Sequence, residues 1–295
     1  MSNRLPLVVL LAASIIGPGK AFASAPSTTE NPGYVQDFTA YTLPSGAIKL
    51  GFAAEYGVSE TIDVGLDTLA LAAGAPNLKM KYQVWSRGLH SVSIGASVSY
   101  LNRDTALWGF VKDHFDELDA QIVRPQISWS QRMSPRLTLH SHWSIGLGDV
   151  NASLSEEGRK YFWESKYPQG DYETRTQDVS DETNTEANLG LAHRTLQAQS
   201  LMGLSRDFFQ ISGEFHRDES KRILLSSRIS NLQLESLKSQ DFRVTAAQEW
   251  RHGAFNFRLG LGILYQVLSG ADLDGESVDD AGFLPIGDFD IYWIF

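Results

Sequence analysis

There is no cysteine among the 295 residues, which excludes disulfides, thiolate nucleophiles, cysteine-ligated metal sites and a cysteine-linked lipid anchor. Basic side chains are also scarce: 25 Lys and Arg stand against 35 Asp and Glu, a formal net charge of −10. Such a balance argues against nucleic acid as a partner, because phosphate binding needs a basic face. Long apolar runs are missing after the stretch from Leu5 to Ile16, and that stretch is shorter than the roughly 20 residues a membrane helix needs. A mean hydropathy of −0.20 fits a soluble protein. It fits equally a chain whose apolar residues alternate with polar ones and average out.

What is present begins at the N-terminus. Arg4, the apolar stretch and then Gly17-Pro18-Gly19-Lys20-Ala21-Phe22-Ala23-Ser24 follow the order of a secretory signal peptide. The small residues Ala21 and Ala23 predict cleavage after Ala23, so residues 1–23 are expected to be removed. Arg4 and Lys20 leave with them, so 23 basic residues remain against 35 acidic ones and the formal charge becomes −12.

Alternation of apolar and polar residues, the mark of a strand with two different faces, recurs along most of the chain. Ile48, Leu50, Phe52 and Tyr56 oppose Lys49, Gly51 and Glu55; Ile62, Val64 and Leu66 oppose Asp63, Gly65 and Asp67. After the turn residues Gly74-Ala75-Pro76-Asn77, Met80, Tyr82 and Val84 oppose Lys79, Lys81 and Gln83. Val92 to Tyr100, Val123 to Trp129 and Leu137 to Leu147 repeat the design, with Arg124, His140 and His142 on the polar faces. Phe242 to Trp250 opposes Arg243, Thr245 and Glu249; Phe255 to Val267 opposes Asn256, Arg258 and Gln266. Residues 184–238 read less clearly, with strands expected at Phe208–His216 and Ile223–Leu232.

The sequence closes on Phe289-Asp290-Ile291-Tyr292-Trp293-Ile294-Phe295, with large apolar residues at every second position and phenylalanine last. This resembles the C-terminal insertion signal of Gram-negative outer-membrane β-barrel proteins, a porin-like superfamily, carried by Phe289, Ile291, Trp293 and Phe295. The resemblance implies an all-β, antiparallel up-and-down transmembrane barrel in the outer membrane, with short periplasmic turns and longer extracellular loops. It implies outer-membrane lipid and lipopolysaccharide as surroundings, and periplasmic chaperones and the barrel-assembly machinery as partners. Residues 24–36 are then a short periplasmic segment and residues 37–295 the barrel, with 14 strands expected and 12 the alternative. A last strand running down to the periplasm makes Gly270–Gly282, residues 150–185 and 102–118 extracellular. The same count makes His252-Gly253, Ser134-Pro135, Arg87-Gly88 and Gly57-Val58-Ser59 periplasmic turns. A first strand near Asp37–Leu43 would lead into an external hairpin at Pro44-Ser45-Gly46.

The polar face is the expected lumen lining, and its charged residues are the candidate selectivity set: Lys49, Glu55, Asp63, Asp67, Lys79, Lys81, Arg124, Arg243, Glu249 and Arg258, with His140 and His142. Mixed signs on neighbouring strands suit either a transverse field across a pore or a network of ion pairs bracing the wall. His140 and His142 raise a hydrolase, since barrel phospholipases and lipid A deacylases build Ser–His sites, but Gly-x-Ser-x-Gly is absent and the sequence matches no Ser to either His. No catalytic residue, cofactor or metal site is therefore assigned. A channel or uptake porin for small polar solutes, its lumen charged and partly occluded, is the expected function. A non-conducting barrel acting through its loops is the alternative, and a lipid-modifying hydrolase the third.

Overall fold

A computed structural model describes residues 38–72, 74–104, 109–158, 160, 207–218, 220–234, 237–271 and 277–295. The expected signal peptide and periplasmic segment, and most of the extracellular loop expected at 150–185, lie outside these residues. Thirteen strands occur among them: β1 (Ile48–Gly51), β2 (Ala53–Ser59), β3 (Ile62–Asp67), β4 (Asn77–Arg87), β5 (His90–Asn102), β6 (Phe115–Ser134), β7 (Leu137–Ile145), β8 (Leu147–Leu154), β9 (Asp207–His216), β10 (Lys221–Leu234), β11 (Leu237–His252), β12 (Phe255–Ala271) and β13 (Ser277–Ile294). Two short helices, α1 (Thr68–Ala72) and α2 (Gly109–His114), sit in connections.

Every pairing is antiparallel, and the order β5-β4-β3-β2-β1-β13-β12-β11-β10-β9-β7-β6 returns to β5. The ring of twelve is closed, and β8 brings the strands among the described residues to thirteen. β8 prolongs β7 along β6: Gln126 faces Ser144 and Val123 faces Leu147 in one continuous register. Closure matters physically, because a ring leaves no sheet edge beyond its seam.

The period-2 pattern puts one kind of residue on each side of this wall. Along β12, Leu259, Leu261 and Ile263 are 51%, 77% and 57% exposed on the outer face, whereas inward Gln266 and Leu268 are fully buried. Leu225 and Ile229 on β10, Phe242 and Val244 on β11, and Phe289 and Trp293 on β13 join the outer apolar belt. Buried positions inside hold Lys49, Glu55, Asp63, His140, Glu214, Arg222 and Glu249. The distribution is the reverse of a water-soluble protein, in which charged groups are almost never fully buried unless paired.

The two rims differ as expected. Tight turns at residues 60–61, 88–89, 135–136 and 253–254 make one rim, and the connections holding α1 and α2 make the other. Gly88 and Gly253 adopt φ of 60° and 61°, the left-handed conformation that such a turn demands and other residues resist.

Three expectations are corrected. Residues 38–43 form no strand: the segment 38–47 lies inside the barrel, and Pro44-Ser45-Gly46 turns at the tight-turn rim, where Gly46 N–H donates to the Gly57 carbonyl. The extracellular loop read at Gly270–Gly282 is largely strand, because β12 and β13 stay in register up to Ala271 facing Ser277. The wall likewise continues past residue 150, to Leu154. The seam is uneven: seventeen residue pairs join β12 to β13, but only three join β13 to β1.

Candidate functional site

The segment 38–47 crosses the lumen as a strap. Its residues 38–43 pair in no ladder, so their backbone groups find partners on the wall. Ala40 N–H donates to Ser130 Oγ at 2.9 Å, and the Ala40 carbonyl accepts from Gln83 Nε2 at 3.2 Å. Leu43 N–H donates to Asp63 Oδ2 at 3.3 Å, while Thr42 Oγ1 donates to the Glu60 carbonyl at 2.8 Å. Apolar contacts complete the anchorage. Leu43 and Ala47 pack with Tyr292 and Ile294, and the Phe38 ring meets His142 and Phe208 edge-on at 5.0 and 5.2 Å.

Beside the strap the wall carries an alternating charge ladder. Register places His216, Arg222, Glu249, Arg258 and Asp290 directly across successive strands from β9 to β13. Arg222 Nη1 lies 2.8 Å from Glu214 Oε1, and its Nη2 lies 2.6 Å from Glu249 Oε1. Arg251 Nε reaches the same Glu249 oxygen at 3.2 Å, and Arg258 holds Asp288 at 3.0 Å and Asp290 at 3.4 Å. Charges this deeply buried are tolerated because each has opposite neighbours and hydrogen bonds to replace water. A second network spans β1 to β4: Lys49 pairs with Glu55 at 3.6 Å, Lys79 contacts Glu55, and Lys81 pairs with Asp63 at 3.5 Å. Gly65 makes room for it, since a Cβ there would sit 2.7 Å from Glu55 Cγ and 3.0 Å from Lys79 Cε.

Farther from the tight-turn rim lies a cavity of about 240 Å³, with Phe38 among its lining residues. Arg228, Arg243 and Arg258 line it, together with Gln210, Ser226 and Thr245. Arg228 and Arg243 face each other directly across β10 and β11. The Arg228 guanidinium stands 4.2 Å from the Phe208 ring centroid.

The sequence-selected residues thus separate into groups. Lys49, Glu55 and Lys79 meet in one network; Asp63 and Lys81 pair beside it; Glu249 and Arg258 belong to the ladder; Arg243 lines the cavity. Asp67 is at the rim instead, where its Oδ1 accepts from Ala70 N–H at 2.9 Å and caps α1. Sequence reading missed Glu214, Arg222, Arg228 and the strap.

His140 and His142 acquire serine partners through register. Ser130 Oγ is 2.8 Å from His140 Nδ1, and Ser128 Oγ is 2.7 Å from His142 Nδ1. Ser130 Oγ also accepts from Ala40 N–H, and on the other side of the ring His140 Nε2 lies 3.8 Å from Glu214 Oε2. The order Ser, His, carboxylate is that of a hydrolase triad. Here, however, Ser130 and Glu214 are 0% exposed and His140 1%, Ala40 covers the serine, and Arg222 occupies the carboxylate. As arranged, the trio ties the strap to the wall.

Fold and interior together define a closed antiparallel β-barrel with an apolar outside, a charged inside and an internal strap. No family model matches the chain, and no curated protein matches it. Among solved structures, the outer membrane channel DcaP of Acinetobacter baumannii is similar at 11% identity over 82% of this chain and 61% of that one, with a TM-score of 0.28. The chain therefore spans less than two thirds of that channel's length, and so slight a likeness carries no argument.

Proposed function

We propose that this chain is an integral outer-membrane barrel that takes up small polar solutes, with residues 38–47 as an occluding strap. The observation that carries the reading is the sidedness of the wall: Leu261, Ile263, Phe283 and Phe289 lie exposed outside, while Arg222, Glu214 and Glu249 lie buried inside. Lipid would cover the first set and paired charges line the path of the second. In this reading the tight-turn rim faces the periplasm, and Phe289, Ile291, Trp293 and Phe295 present the insertion signal to the barrel-assembly machinery.

Single-channel recording in planar bilayers tests it. The intact barrel is expected to conduct weakly, because the strap crosses the lumen, and replacing Phe38, Tyr41 and Leu43 together by alanine is expected to raise the conductance. Folding of both proteins is checked by heat-modifiable migration. Two folded proteins that both fail to conduct would overturn the uptake reading in favour of a closed barrel acting through its loops.

A further inference from the structure

We propose that the cavity containing Arg228 and Arg243 binds a small oxyanion, a carboxylate or a phosphate, between these two guanidinium groups. The inference rests on the uptake reading for its role, since it names the solute class, but the site itself stands on geometry. Arg228 and Arg243 are direct cross-strand partners on the inner face. Like charges so placed repel, and the repulsion grows as water is withdrawn. Neither forms an ion pair among the described residues, although every other lumen arginine of the ladder does. The nearest carboxylates act on the pair only through their fields: Asp241 has its Oδ1 taken by Ser239 at 2.6 Å and Gln266 at 3.0 Å, and Asp288 accepts from Arg258 at 3.0 Å. Arg228 Nε is buried with no hydrogen-bond partner among the described residues.

The cavity supplies what an anion would meet. Arginine presents paired N–H donors in a fork that matches carboxylate and phosphate oxygens. Gln210 and the hydrogen-bonded pair Ser226 and Thr245, 2.6 Å apart, add neutral donors, and Phe38 adds an apolar surface. At about 240 Å³ the space suits a small solute, below the ~300 Å³ at which drug-sized pockets begin. β13 also lines the cavity through Gly287 to Asp290, and above Tyr292 that strand has no ladder partner on its β1 side among the described residues. The anion could thus arrive as a dissolved solute or as a lipid headgroup.

Calorimetric titration of the folded full chain in detergent with inorganic phosphate, succinate and lysophosphatidate tests the site. Saturable binding of phosphate or succinate identifies a dissolved solute, and binding of lysophosphatidate alone identifies a headgroup. In either case Arg228→Gln and Arg243→Gln are expected to weaken binding on the order of tenfold or more, the worth of a lost charged hydrogen bond. Arg243→Gln should also raise the thermal midpoint in anion-free buffer, since it relieves the repulsion, which shows that lost binding is not lost folding. Wild-type protein that saturates with none of the three probes, or variants that bind unchanged, overturn the proposal. Binding without conductance would instead overturn the uptake reading and leave the site standing.

Discussion

The ladder between β10 and β11 carries two inward arginine pairings six residues apart along β10, about 20 Å of strand, and they obey opposite rules. At one level Arg222 faces Glu249, and both find further partners in Glu214 and Arg251. At the other Arg228 faces Arg243, with the nearest acids already spoken for. The first arrangement satisfies itself. The second is complete only with something added, and the difference separates structure from site on one pair of strands.

The comparison breaks most visibly at Arg222. Arg222→Met leaves buried Glu214 with only histidines beside it and takes from Glu249 its shortest partner, and the unfolding midpoint in urea should fall by the equivalent of about 3–5 kcal/mol. Gly65→Ala should cost about 1–3 kcal/mol in the same assay, because its Cβ would stand 2.6 Å from the Ala54 carbonyl oxygen and push Glu55 away from Lys79. Arg243→Glu reverses the sign: it turns the like-charged pair into a ladder rung, so stability should rise by about 1 kcal/mol while anion binding disappears in the titration. Asp67→Ala should cost only ~0.5–1 kcal/mol through the lost cap and leave ion selectivity, read from reversal potentials, unchanged. A shift in selectivity would return Asp67 to the lumen set.

The strands were legible wherever one face is apolar and the other polar, as in Phe255 to Val267, because the period of two survives without knowledge of the partner. The same property misled at residues 38–43. Phe38-Thr39-Ala40-Tyr41-Thr42-Leu43 is extended whether it pairs in a wall or threads through a lumen, and alternation reports extension, not hydrogen-bond partners. The Ser130–His140 and Ser128–His142 contacts were out of reach of counting. Ser134 faces Leu137 at the turn, but an irregularity before Ser134 shifts the register by one, so that Arg132 faces Thr138 and Ser130 faces His140, and alternation alone does not show such a shift. Arg228 stayed hidden for a related reason: the expected strand ended at Leu232, whereas β10 runs to Leu234 and β11 starts at Leu237, and the pairing of Leu234 with Leu237 sets the register that places Arg228 across from Arg243.

The strap also couples the lumen mechanically to the closure of the wall. A ring under stress parts most readily where a short ladder joins strands that no turn connects, and here that is the three-pair seam of β1 with β13, beside a neighbour with seventeen. Leu43 and Ala47 of the strap grip Tyr292 and Ile294 on the inner side of that same seam. Withdrawing the strap to clear a path would therefore loosen the latch of the tube as well as its stopper.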